Sequence, residues 1–163
     1  MARFLRTHPE PITTADYRKF RSYVRKDFEQ RCAYCLLQEV LAGGEENFEL
    51  DHFRPKWLFA ALKLDFYNIY YACHPCNNIK HDKWPSQLLE EQGKTFVDLC
   101  NDNFETHFDE RPDGTWMGLT PAAEYTIDEL RLNRSHLVRI RKLVAQLSVL
   151  IDSEGELASD YTN

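Results

Sequence analysis

The decisive stretch runs from Cys32-Ala33-Tyr34-Cys35 through Leu50-Asp51-His52-Phe53-Arg54-Pro55-Lys56 to Cys73-His74-Pro75-Cys76-Asn77-Asn78-Ile79-Lys80-His81. Its two Cys-x-x-Cys pairs supply four thiolates, the number a zinc ion held tetrahedrally by sulfur needs, each pair forming one knuckle. A redox-active pair or plain buried thiols are the competing readings of the same spacing. The 37 residues between Cys35 and Cys73 exceed the roughly 15–20 of a plain zinc ribbon, so further structure is inserted between the knuckles. A zinc with four sulfur ligands has no open position and cannot activate water itself. Any chemistry must lie beside it.

Beside it stand Asp51-His52, at the end of an alternating Phe48–Phe53 segment, and Asn77-Asn78-Ile79-Lys80-His81 just past the second knuckle. A hard divalent ion such as Mg²⁺ or Mn²⁺ takes oxygen ligands and keeps water, which suits the Asp51 carboxylate and the Asn77 amide oxygen. Neighbours in a strand point to opposite faces, so Asp51 and His52 reach one point only if the strand ends there, and Arg54-Pro55 predicts that ending. His52 is then a candidate general base, and Asn77 and His81, at i and i+4, share one face if the helix continues. Arg54, Lys56 and Lys80 are candidate phosphate contacts, with a solvated surface the alternative for each.

Outward from this core, Thr13 to Asp16 offers a hydroxyl cap and an acid ahead of Tyr17, Phe20, Val24 and Phe28 at helical spacing, which predicts a helix over 14–30 with a basic opposite face. A short helix is expected over 56–64, an aromatic-rich extended segment over 66–72, a helical turn or two over 77–83 and a strand over 95–100. A hairpin at Arg111-Pro112-Asp113-Gly114 follows, then a second capping box at Thr126–Glu129. Leu137, Ile140, Val144, Leu147 and Ile151 give an amphipathic helix ending before Gly155. The aromatic residues Trp57, Phe59, Phe66, Tyr67, Tyr70 and Tyr71 read as core or as a base-stacking surface.

The chain has 163 residues, 43% of them hydrophobic, which fits a single domain over 1–163 with a core at 31–84, a basic helical flank at 1–30 and a C-terminal flank at 86–154. No apolar run approaches the ~18–20 residues that cross a bilayer, and no signal-peptide h-region opens the chain, so a membrane role is excluded and a reducing, cytoplasmic setting is expected. The net charge of −6 hides an asymmetry: residues 1–31 hold eight Lys/Arg against four Asp/Glu, while 86–130 hold two against eleven. A phosphate ligand is therefore expected toward the N-terminal third.

Cys32-x-x-Cys35, Leu50-Asp51-His52-Phe53-Arg54-Pro55-Lys56, Tyr67-Asn68 and Cys73-x-x-Cys76-Asn77-x-x-Lys80 together resemble the HNH endonuclease family in its four-cysteine zinc form. The resemblance implies an α+β fold with a ββα-metal core, in which Asp51 and Asn77 hold the catalytic cation, His52 is the base, Asn68 steadies the loop and His81 is a ligand in some members. The flanks, including Thr126-Ile127-x-x-Leu130-x-Leu132-Asn133, resemble small stand-alone HNH proteins of bacterial anti-phage systems, the HNH partners of Septu-type and retron-associated ATPases. That implies a nuclease acting on nucleic acid, DNA before RNA, with a partner ATPase. A zinc-stabilised binding module that keeps the fold without the chemistry is the alternative.

Overall fold

The computed structural model describes residues 3–7 and 14–160, with side chains through residue 149. In chain order the elements are α1 (Arg21–Asp27), β1 (Phe48–His52), β2 (Ile69–Cys73), α2 (His74–Lys80), α3 (Gln87–Glu91), α4 (Phe104–His107), β3 (Phe108–Glu110), β4 (Trp116–Gly118), α5 (Pro121–Leu130) and α6 (Ser135–Asp160). Single 3-10 turns lie between several of them. The central motif is β1 and β2 as an antiparallel pair, in register from Phe48 opposite Cys73 to His52 opposite Ile69, with α2 packed across both. All five residues of β2 are buried, which is why Ile69-Tyr70-Tyr71-Ala72-Cys73 shows no alternation. The second sheet, β3 with β4, is the hairpin expected at 111–114.

Helix α1 is shorter than the predicted 14–30. Asp16 caps a 3-10 turn at Tyr17–Phe20 by accepting from the Arg18 N–H, so the acid itself makes the cap; Thr13 lies outside the described residues. Glu29 and Gln30 take left-handed backbone angles, φ 52° and 58°, which end the helix and turn the chain into the first knuckle. Phe20, Val24 and Phe28 face the core as their spacing predicts. The basic face, however, is engaged largely within the protein. Arg25 makes a two-pronged ion pair with Glu39 at 2.7 and 2.8 Å, and Arg21 reaches Glu45 and the carbonyl of Phe48. Arg6 is buried, paired with Asp27 at 3.1 Å while donating to the carbonyls of Phe66 and Ile69, and so joins the N-terminal segment to the start of β2.

Burial pushes the Glu39 carboxyl up, but the bonds from Arg25 and from the Tyr71 hydroxyl outweigh it and leave it below the usual carboxylate value. A lowered acid contributes stability that is present above its unfolded value near 4.5 and is lost as pH falls through the folded one. Glu39→Gln therefore lowers the melting temperature at pH 7, and the difference from the parent shrinks as pH falls below 4.5, read by thermal denaturation across pH.

The structure differs from the sequence expectations at four further places, three of them in the C-terminal flank. Residues 95–100 are irregular rather than a strand: the Val97 N–H donates to Thr126 Oγ1 and the Leu99 carbonyl accepts from Arg3 and Phe4, so side-chain and N-terminal partners replace a ladder. Thr126 is not a cap but a buried residue inside α5, whose true N-cap is Thr120 followed by Pro121. Residues 56–64 hold only a 3-10 turn at Ala60–Leu62, and α6 runs past Gly155 to Asp160. Asn133 binds both backbone groups of Trp116 and ties β4 to the entrance of α6. Cys100 is half-buried beside Tyr70, its thiol pushed up to about 11 by burial and by Asp98.

Candidate active site and metal centre

The four cysteines converge. The Sγ atoms of Cys32, Cys35, Cys73 and Cys76 all lie within 4.8 Å of one another, every one buried, and Cys35 and Cys73 are 3.8 Å apart. Zinc–sulfur bonds of about 2.3 Å in a tetrahedron require sulfurs about 3.8 Å apart, so the cluster fits a zinc ion. Two arginines from the C-terminal flank complete its surroundings. Arg134 Nη2 donates to Cys76 Sγ at 3.0 Å, and the Arg141 guanidinium lies 3.9 Å over the Trp116 ring with Cys35 acting on its charge. Four thiolates around a divalent ion leave two net negative charges, and buried charge of that kind requires cations nearby. Nothing in the spacing of the cysteines points to these arginines, which lie some sixty residues away in sequence.

Beside the knuckles, a cavity of about 230 Å³ is lined by Tyr17, Leu50, Asp51, His52, Lys56, Asn77 and His81, among others. Strand β1 stops at His52 and the chain bends at Phe53 and Arg54, so Asp51 and His52 both border the cavity despite the strand's alternation. His52 packs edge-on against Tyr17 at 4.8 Å, and its Nε2 lies 2.9 Å from the Lys63 carbonyl. A carbonyl only accepts, so Nε2 carries the proton and Nδ1 is left as the basic nitrogen. Burial lowers the His52 pKa below the ordinary 6.5, which keeps the ring neutral at pH 7.

Asn68 is buried and makes three bonds: Oδ1 accepts from the Arg54 N–H at 2.9 Å, and Nδ2 donates to the carbonyls of Arg54 and Leu62. It thus closes the loop that presents the Lys63 carbonyl to His52. Asp51 is also buried. Its Oδ2 accepts from the Tyr34 hydroxyl, in the first knuckle, and from Lys80 Nζ at 3.2 Å, while Lys80 also donates to the His52 carbonyl at 2.9 Å. Burial pushes the Asp51 carboxyl up and the Lys80 ammonium down, against their mutual attraction. Among the described residues Asp51 Oδ1 accepts no bond. Asn77, which also lines the cavity, donates its Nδ2 to Glu49, which His74 also contacts at 2.9 Å; the amide oxygen of Asn77 is left as an acceptor.

Two expectations need correction here. Lys80 has no exposed surface and is committed to Asp51 and the His52 carbonyl, so it is not a phosphate contact. His81 is not on the Asn77 face of a continuing helix, because α2 ends at Lys80 and His81 turns to φ 45°; its side chain is largely exposed beside Asp82. Lys56 is exposed on the cavity rim, and exposed Arg54 lies over the rings of Phe59 and Trp84 at 5.6 Å. Tyr34, Glu49 and Tyr17 are neighbours that the motif alone did not single out. Tyr34 sits between two cysteines and Glu49 two residues before Asp51, on the same side of β1, so strand alternation was the available signal for the latter.

Lys80→Met leaves a buried carboxylate without its cation, and loss of one partner of such a pair costs about 3 kcal/mol. The expected result is a lowered melting temperature that Asp51→Asn in the same chain partly restores, since the double variant has no uncompensated charge. A Lys80→Met protein as stable as the parent would contradict the pairing.

The donors around the cavity are carboxylate, amide and imidazole, a set that matches a hard divalent cation and not a soft one. Comparison with known proteins agrees with this layout. Residues 32–83 match the HNH endonuclease family. The chain is also 26% identical over 149 residues, three quarters of its length, to the Septu protein PtuA of Bacillus mycoides (strain KBAB4), of which it spans about a fifth. The four converging cysteines and the strand–strand–helix core bearing Asp51, His52 and Asn77 all fall within residues 32–83, the stretch that matches the HNH endonuclease family.

Proposed function

We propose that the protein is a divalent-metal-dependent endonuclease that hydrolyses phosphodiester bonds of DNA, working as the nuclease of a Septu-type anti-phage system. The observation that carries this reading is His52: its Nε2 is fixed on the Lys63 carbonyl, which leaves a neutral Nδ1 on a cavity shared with Asp51 and Asn77. Nδ1 accepts a proton from water, the oxygen of that water bonds to phosphorus, and the bond from phosphorus to the 3′ oxygen breaks. Asp51 Oδ1 and the Asn77 amide oxygen would hold the cation, and His81 at the rim is a further donor it could use. A bound Mg²⁺ or Mn²⁺ supplies positive charge that stabilises the phosphorane-like transition state and the departing oxygen. Asn68 and Lys63 hold the base in register, and Lys56 meets the incoming phosphate.

The Septu relative supports the defence setting, and a partner ATPase and the acidic 86–130 stretch as its docking region belong to the same reading. Incubating supercoiled plasmid with the full chain, with and without added Mg²⁺ or Mn²⁺, tests it. Nicking that requires the ion is expected. The competing reading is a zinc-stabilised binding module, and the engagement of Asp51 by Tyr34 and Lys80 is the observation that favours it. Plasmid and single-stranded oligonucleotide both left intact under every metal, alone and with a co-encoded partner, would favour that alternative.

A further inference from the structure

The aromatic residues that sequence left undivided separate in space. Phe66, Tyr70 and Tyr71 are core, and Trp84 and Trp116 pack against other rings. Trp57 does not: it is 63% exposed and, among the described residues, makes no hydrogen bond or ring contact, with Leu58 exposed beside it. Its place is not a loose one. Pro55 is fully buried and its carbonyl accepts from the N–H groups of Leu58 and Phe59 at 3.0 and 2.9 Å, a tight turn with Trp57 at its tip. The same loop is clasped by Asn68 at Arg54 and Leu62, and its Lys63 carbonyl orients His52.

The charge of this loop is as distinctive as its rigidity. From 53 to 64 it carries Arg54, Lys56 and Lys63 and no acidic residue, within a chain of net charge −6. Lys56 lines the His52 cavity and is the chain neighbour of Trp57, so a cation at the cavity adjoins an open aromatic face. Alternation of phosphate-sized positive charge with a stacking ring suits a single strand, whose bases are free to leave one another. Bases inside a duplex are already stacked on both sides and offer Trp57 no face.

We infer that the turn at 55–59 is a nucleobase platform, Trp57 stacking on an unpaired base next to the phosphate that enters the His52 cavity. The preferred substrate is therefore single-stranded or locally unpaired nucleic acid. This deepens the nuclease reading and rests on it for the identity of the cavity, but its test involves no cleavage.

Without added divalent ion, the intrinsic tryptophan fluorescence of the full chain is titrated with oligo(dT) of about 12 nucleotides, with an abasic oligonucleotide of equal length, and with a duplex. Oligo(dT) is expected to quench and to bind more tightly than the other two. Trp57→Ala is expected to weaken oligo(dT) binding about tenfold and remove the quenching, Trp57→Phe to retain part of the affinity, and abasic binding to ignore both changes. Equal affinity for oligo(dT) in Trp57→Ala, or equal affinity of the parent for the abasic strand, would overturn the platform. So would a Trp57→Ala protein that loses a protein partner but no oligonucleotide. A chain that never cuts yet binds oligo(dT) through Trp57 removes the nuclease reading alone; one that cuts with Trp57-independent binding removes the platform alone.

Discussion

A chelator strong enough to strip a zinc ion held by the four cysteines is expected to unfold residues 32–83. All four cysteines are buried, and they occupy the centre where the first knuckle, the end of β2 and the start of α2 meet. Structural zinc contributes apparent folding free energy of about 10–16 kcal/mol in small zinc domains at neutral pH. A whole domain is stable by only about 5–15 kcal/mol. No rearrangement of thiols replaces that contribution, and deprotonated thiols left together repel. Cys76→Ser should behave similarly, because it removes one of the four sulfurs and the acceptor of Arg134 Nη2. The check is metal content together with far-ultraviolet circular dichroism and a thermal melt; a zinc-free chain that melts cooperatively at the parent temperature would refute it.

The second large effect is kinetic. His52→Ala removes the proton acceptor while leaving the cysteine cluster and the Asp51–Lys80 pair in place, so cleavage should fall about 10²- to 10⁴-fold with zinc content unchanged. Stability should change far less, because the cavity borders solvent and water can meet the Lys63 carbonyl. Single-turnover nicking at saturating Mg²⁺ separates the loss of chemistry from a loss of binding. A variant that cuts at the parent rate removes His52 from the mechanism, whatever its fold.

The parts of the site legible in the sequence are those set by local spacing. Cys-x-x-Cys forces a knuckle, Asp51-His52 before Arg54-Pro55 forces a strand end, and Asn77 follows the second knuckle at the start of a helix. What stayed illegible is decided by distant partners. Lysine is ordinarily a surface residue, and the Asp51 carboxylate, 29 positions earlier, together with the His52 carbonyl makes Lys80 a buried one. Thr126 has the pattern of a cap, yet the partner that fixes it inside α5 is the backbone of Val97. The helical spacing of 137–151 says nothing about where α6 ends, and a glycine that often stops a helix is here passed over. The turn at His81 is likewise invisible to an i, i+4 count.

Tyr34 belongs at once to the cysteine loop and, through its hydroxyl, to the carboxylate at the cavity. A shift of the first cysteine loop would carry this tyrosine with it and leave Asp51 Oδ2 to Lys80 alone. The cysteine cluster is thus coupled to the cavity through a single hydroxyl, with no side chain belonging to both.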